Sequence, residues 1–231
     1  MGNCAELCVE KYGITREEMD EYAKTSFLRA QKAQADGVFA AEITPVEIKG
    51  RKGTLKVEED EGPSKVRFDK IPSLKPAFKK DGSITAANAS SINDGAASIV
   101  LGGEEYADQA EFKIVSYASH AHAPEWFTTA PVEATKKCLD KAGLKINDID
   151  LFEINEAFAV VALTSIKELE LEMSKVNIYG SAISLGHPIG VSGARIIISL
   201  MTGLKREQKR YGLASICIGG GEALSIIIER L

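Results

Sequence analysis

The chain is poor in the features that most readily announce a function. It has only four cysteines, Cys4, Cys8, Cys138 and Cys217, spread along 231 residues with no CxxC pair, which excludes a dense disulfide framework. No apolar run approaches the ~18 residues a membrane span needs. Basic residues are not in excess. Lys and Arg number 28 against 33 Asp and Glu, a formal net charge of −5, which argues against a nucleic acid or an anionic membrane as the main partner. Met1 is not followed by the cationic and apolar regions of a secretory signal, and Glu229-Arg230-Leu231 is not a peroxisomal tripeptide. The expected setting is therefore reducing and cytoplasmic. No short-period repeat and no low-complexity tract is present.

What is there is an ordinary globular balance of 45% apolar and 26% charged residues. Thr15 and Glu18 have capping-box spacing, and Met19, Tyr22, Ala23, Phe27 and Ala30 recur at helical period, predicting a helix from Thr15 to Asp36 that stops at Gly37. From Gly50 to Gly82, prolines, glycines and charges predict extended chain and loop, with a turn at Gly50-Arg51-Lys52-Gly53. Ala86 to Val100 is rich in small residues, which allow close backbone approach. Strands are then predicted at Ile99–Leu101, Lys113–Val115, Asp150–Ile154, Val176–Ile178, Leu213–Ile218 and Leu224–Ile228. Helices are predicted at Pro131–Ala142, Glu156–Glu170 and Ser192–Arg210. The alternation gives an α/β fold with a mixed sheet flanked by helices, its last two strands antiparallel.

Three places just past predicted strands, where open α/β sheets put ligand sites, can carry chemistry. At Asn155-Glu156-Ala157-Phe158 an amide is placed to orient a water or polarise a carbonyl; the plain alternative is a helix N-cap. Ser184-Leu185-Gly186-His187-Pro188-Ile189-Gly190, followed by Ser192-Gly193-Ala194-Arg195, is a stiff glycine-rich turn. It would hold His187 at its tip as a base or as a donor to a developing oxyanion; the alternative is a structural turn. It lacks the lysine of a phosphate loop. Cys217-Ile218-Gly219-Gly220-Gly221 sets a thiol beside backbone N–H groups; the alternative is a buried inert Cys. Weaker features are His120 and His122 on one strand face, with no third ligand at metal spacing, and Pro124-Glu125-Trp126-Phe127 as pocket or core. The acidic run Glu58–Glu61 reads as a solvated face, and Cys4 and Cys8, four apart on a helix, as structural.

Taken together, the motifs at Asn155–Phe158, Gly186–Arg195 and Cys217–Gly221 resemble the thiolase family of enzymes that handle acyl-CoA thioesters. Thr85-Ala86-Ala87-Asn88-Ala89-Ser90-Ser91-Ile92-Asn93-Asp94-Gly95-Ala96-Ala97 is similar to the segment these enzymes place beside CoA, and Met1-Gly2 with Ala5-Glu6 match an internal stretch. The resemblance implies roles by residue. His187 would activate the acyl-accepting cysteine and help bind the thioester oxygen. Asn155 would hold the water that completes that oxyanion site. Cys217 would be the acid/base at the acetyl methyl. Gly219 would lend its N–H to a second oxyanion hole, and Ser90 would lie near the pantetheine.

It also implies a thiolase-like fold with a loop domain at residues 1–91, a closing piece of the N-terminal domain at 92–110 and a C-terminal domain at 111–231. The N-terminal half of the fold, with the nucleophilic cysteine, would be missing, because neither Cys4 nor Cys8 matches its position. Gly180-Ser181 stands where the family usually has Gly-Gly. The function so implied is that of an acetyl-CoA C-acetyltransferase fragment or subunit, inactive alone. It would act on acetyl-CoA and acetoacetyl-CoA without a tightly bound cofactor or metal, as an oligomer with another thiolase chain or an N-terminal half, and with no nucleic acid or membrane partner. The alternatives are a longer-chain 3-ketoacyl-CoA thiolase and a non-catalytic remnant or complementing subunit. A decarboxylating ketoacyl synthase fits less well, since those relatives have a second His where this chain has Cys217.

Overall fold

A computed structural model describes residues 1–51 and 53–231. Two helices lead. α1 (Gly2–Tyr12) ends at Gly13, and α2 (Arg16–Ala35) starts at Thr15, whose side chain accepts from the Glu18 N–H while Glu18 caps the Thr15 N–H in return. The predicted capping box and the Gly37 stop are both present. α1 carries Cys4 and Cys8 on one helix, and Cys8 shares a 3.5 Å hydrogen bond with Thr164. Buried Glu6 accepts the backbone N–H groups of Ser83 and Ile84, tying α1 to the chain ahead of the small-residue segment.

Between Gly50 and Gly82 the expectation of loop is only partly met. An antiparallel hairpin, β1 (Val46–Gly50) with β2 (Gly53–Val57), stands out from the body with Val46, Ile48 and Leu55 more than half exposed. The predicted turn includes Lys52, which lies outside the described residues. A short helix α3 (Gly62–Lys65) and a 3-10 turn at Phe68–Ser73 follow.

The predicted strand at Ile99–Leu101 is absent. Residues 93–103 run as irregular chain, with Val100 94% and Leu101 73% exposed. An isolated strand has no ladder partner and no covered face, so apolar content alone does not make one.

The sheet is mixed and has the order β3-β6-β5-β4. β3 (Phe112–Ala121) pairs antiparallel with β6 (Glu222–Arg230), β6 antiparallel with β5 (Tyr211–Ile218), and β5 parallel with β4 (Leu151–Ile154). One face is covered by α4 (Ala130–Ala142) and α5 (Ala159–Glu168); past a short helix α6 (Ala182–Leu185), the other is covered by α7 (Ser192–Arg206). Val176–Ile178 makes only single bridges, to Phe152 and to Gly180, rather than a strand.

The main core joins both parts of the chain. Ala5, Cys8, Met19 and Tyr22 from α1 and α2 pack in one cluster with Phe152, Ile154, Leu213 and Ile227 of the sheet and with Phe127. Phe127, from the proline-bounded segment, is thus core and not a pocket wall. Under α7, Leu151 meets Ile196, Leu200 and Leu204. Since strand side chains alternate, Glu153 points to this same α7 face.

Candidate functional site

Helix α5 begins at Ala159 with Phe158 as its N-cap, not at Glu156. This removes the N-cap explanation for Asn155. Its side chain is wholly buried, and neither Nδ2 nor Oδ1 has a partner. A buried amide with both ends unmet is a donor–acceptor fork open to a ligand or a water. Its backbone is fixed, the N–H donating to Ser215 O at 2.9 Å. Ser215 lies two residues before Cys217 on the neighbouring parallel strand, so Asn155 and Cys217 stand at the same end of adjacent strands.

The His187 loop is brought to Asn155 by the small-residue segment. Ser90 donates its N–H and its hydroxyl to Ala157 O at 3.1 and 3.0 Å, and the His187 N–H donates to Ser91 O at 2.9 Å. One extended stretch therefore touches both motifs. It spends the Ser90 hydroxyl proton on backbone, leaving that oxygen only its lone pairs for a ligand. The loop is held by Gly186, at φ +91°; a methyl there would collide with the Asn93 side chain. His187 is half-buried, and its Nδ1 lies 2.6 Å from Ser192 Oγ. Burial, with the Arg195 cation second, holds its pKa below the ordinary value.

Cys217 is the penultimate residue of β5, and Gly219–Gly221 turn the chain into β6. Gly221 has φ +87°, and a methyl on it would strike His122 O. The Met1 thioether covers Gly219, 3.5 Å from where a Gly219 methyl would stand. Burial pushes the Cys217 thiol up to about 12, so it keeps its proton at neutral pH. Cys8 and Cys138 are likewise raised by burial. His120 and His122 do share a face, with ring centroids 5.0 Å apart.

Two buried carboxyls had no place in the sequence reading. Glu156 accepts from Tyr22 Oη at 2.9 Å, Ser26 Oγ at 2.8 Å, Asn177 Nδ2 at 3.1 Å and the Ile183 N–H at 3.1 Å. It pins α2 to the site between Asn155 and the His187 loop. Glu153, in a strand of four buried residues, is raised to about 8 by burial, with Arg195 opposing, and its Oε2 has no partner. A charged residue in an otherwise apolar strand was the available signal. Ser181, in the departing Gly-Ser pair, accepts from Arg195 Nη2 at 2.9 Å. A cleft of about 200 Å³ lined by Arg29, Asp36, Tyr179 and Arg206 lies away from all these groups.

Residues 109–230 match the family described as thiolase, C-terminal domain. The chain belongs to the thiolase family. Residues 1–105 match the thiolase N-terminal domain, so the expectation that this half is missing is corrected: sequence of both domains is present. A probable acetyl-CoA acetyltransferase of Dictyostelium discoideum is 48% identical over 236 residues, covering 100% of this chain and 57% of its own length. The crystal structure of the Bacillus anthracis acetyl-CoA acetyltransferase superposes with a TM-score of 0.97 at 45% identity, covering all of this chain and 60% of that one. The Acat5 thiolase of Ascaris suum, crystallised with coenzyme A, gives 0.93 at 45% identity, again covering 60% of that chain. This thiolase chain thus spans about three-fifths of the length of the relatives it matches, with the mixed α/β thiolase fold throughout.

Proposed function

We propose that this chain carries the proton-transfer and anion-stabilising side of a thiolase active site, acting in acyl transfer between CoA thioesters by Claisen condensation or thiolysis. The observation that carries the reading is the meeting of three motifs. The Asn155 fork, the His187 loop and the Cys217 strand end are tied together through the β4–β5 hydrogen bond and the Ser90–Ser91 segment. A carbanion beside a thioester needs a base, and its enolate oxygen needs fixed donors, each worth roughly 3 kcal/mol. In this reading Cys217 exchanges the proton of the acetyl methyl. Its protonated resting state serves proton return on cleavage directly. Asn155, through a water, and the Gly219 N–H serve the oxyanions, His187 serves the thiol of the acyl-accepting cysteine, and Ser90 lies on the CoA side.

The same reading divides the chain into a loop domain at 1–91, a closing piece at 92–110 and a C-terminal domain at 111–231. The substrates are acetyl-CoA and acetoacetyl-CoA, with no tightly bound cofactor. The relatives named above are acetyl-CoA acetyltransferases or a thiolase with coenzyme A, which favours the short-chain reading over a longer-chain one.

In this reading the acyl-accepting cysteine is none of Cys8, Cys138 and Cys217. Burial raises the thiols of Cys8 and Cys138, and an attacking sulfur needs thiolate character, while Cys217 is engaged in the proton transfer. Ile92, Val100, Leu101 and Ile189 are each more than 70% exposed, apolar surface open to a partner.

Acetoacetyl-CoA thiolysis tests this. The chain alone is expected to give no turnover, and addition of a thiolase chain bearing the nucleophile is expected to restore it. In the restored system Cys217→Ala lowers the Claisen step about 10²–10⁴-fold, the range for a lost proton-transfer group, while leaving acyl transfer measurable. His187→Ala impairs both half-reactions. Turnover by the chain alone, or full activity in both variants, contradicts the assignment.

A further inference from the structure

The two hydrogen bonds of one buried hydroxyl decide which nitrogen of His187 carries the proton. Ser192 is fully buried at the start of α7, and its Oγ lies 2.6 Å from His187 Nδ1 and 3.1 Å from Pro188 O. A hydroxyl has one proton to give and two lone pairs to accept with. If Ser192 gave its proton to Nδ1, its own lone pairs would be buried with no donor, and its contact with Pro188 O would carry no hydrogen. If Nδ1 carries the proton, Nδ1–H donates to Oγ and Oγ–H donates to Pro188 O, so both contacts become hydrogen bonds. A buried polar group left unmet costs about 1–3 kcal/mol, which selects the second arrangement.

We propose that Ser192 is a positioning residue that fixes His187 as its Nδ1–H tautomer and leaves Nε2 as a bare acceptor. Among the described residues Nε2 has no partner. Burial, with the positive charge of Arg195 one turn along α7 second, lowers the His187 pKa and so favours the neutral ring.

This deepens the reading of His187 given above and rests on it for its chemical meaning. It puts the two tasks assigned to His187 in sequence. A bare Nε2 cannot donate to a thioester oxygen. It becomes a donor only after taking the proton of the attacking thiol, when thiol and imidazole have become thiolate and imidazolium. The single proton that activates the nucleophile is then the one presented to the oxyanion.

The tautomer is directly observable on the chain alone, without substrate. The protein has three histidines, so long-range 1H–15N spectra of labelled protein are simple, and His187→Gln assigns the His187 pair by loss. The unsubstituted protein is expected to show a pyrrole-type Nδ1 and a pyridine-type Nε2. Ser192→Ala should move the proton toward Nε2, and Ser192→Thr, which keeps the hydroxyl, should restore the original pattern. In the reconstituted enzyme Ser192→Ala should lower kcat about 10–100-fold with KM unchanged. An Nε2–H tautomer in the unsubstituted protein, or an unchanged pattern in Ser192→Ala, overturns the proposal. These spectra do not depend on turnover. Failure of the thiolase reading would leave the tautomer standing, and failure of the tautomer would leave the site assignment standing.

Discussion

Replacing Glu153 by Gln stabilises the protein at pH 8 by about 4–5 kcal/mol and leaves it nearly unchanged at pH 4.5 or below. The cause is the burial that lifts this carboxyl from 4.5 to about 8. In the unfolded chain Glu153 loses its proton near 4.5, whereas in the folded chain it keeps it. Between those limits the folded state binds the extra proton, so stability falls as pH rises, and at about 1.36 kcal/mol per unit the window of about 3.5 units sets the size of the effect. Glutamine, neutral at every pH, removes this slope. Glu42, Glu156 and Asp60 are also raised by burial and slope the same way, so the variant's curve is shallower but not flat. Urea unfolding at pH 4.5, 6 and 8 measures it. A stability difference that does not change with pH would show that Glu153 is ionised in the fold. The position has functional weight too, because Glu153 precedes Asn155 by two residues and faces the helix that carries Ser192 and Arg195.

Glu156→Ala is expected to cost about 3–5 kcal/mol. The carboxyl accepts four hydrogen bonds in a dry interior, from Tyr22, Ser26, Asn177 and the Ile183 N–H. Each donor left without an acceptor costs about 1–3 kcal/mol, offset where Ser26 keeps its 2.9 Å contact with Ser184 and Asn177 Nδ2 still donates to Tyr22 Oη at 3.0 Å. Glu156→Gln keeps the shape and should lose less, since one of its two atoms still accepts. Denaturant midpoints at constant m-value report both. A loss under about 1 kcal/mol for the alanine variant would mean that the network re-pairs freely and does not pin α2 to the site.

Much of this arrangement was legible in the residues, and the exceptions have physical causes. The capping box at Thr15 and Glu18 and the Gly37 stop are local devices, so they read correctly. The hairpin at 46–57 was missed although Val46-Glu47-Ile48-Lys49 alternates, because its charges and the turns around it resemble loop. The strand expected at Ile99–Leu101 failed because a strand depends on a neighbour that local sequence does not specify. Asn155 could be read as cap or as catalyst. Only the late start of α5 decided that it caps nothing. Glu153 and the Glu156 donors were invisible because burial and long-range partners, 21 to 134 residues apart, create their role.

As proposed above, this chain supplies His187, Asn155 and Cys217 to a thiolase site, and none of its own four cysteines receives the acyl group. Incubation with acetyl-CoA, acid quench and intact-mass measurement with peptide mapping tests it most directly. Cys4, Cys8, Cys138 and Cys217 are all expected to remain unmodified. A stoichiometric acetyl thioester on any one of them would contradict it.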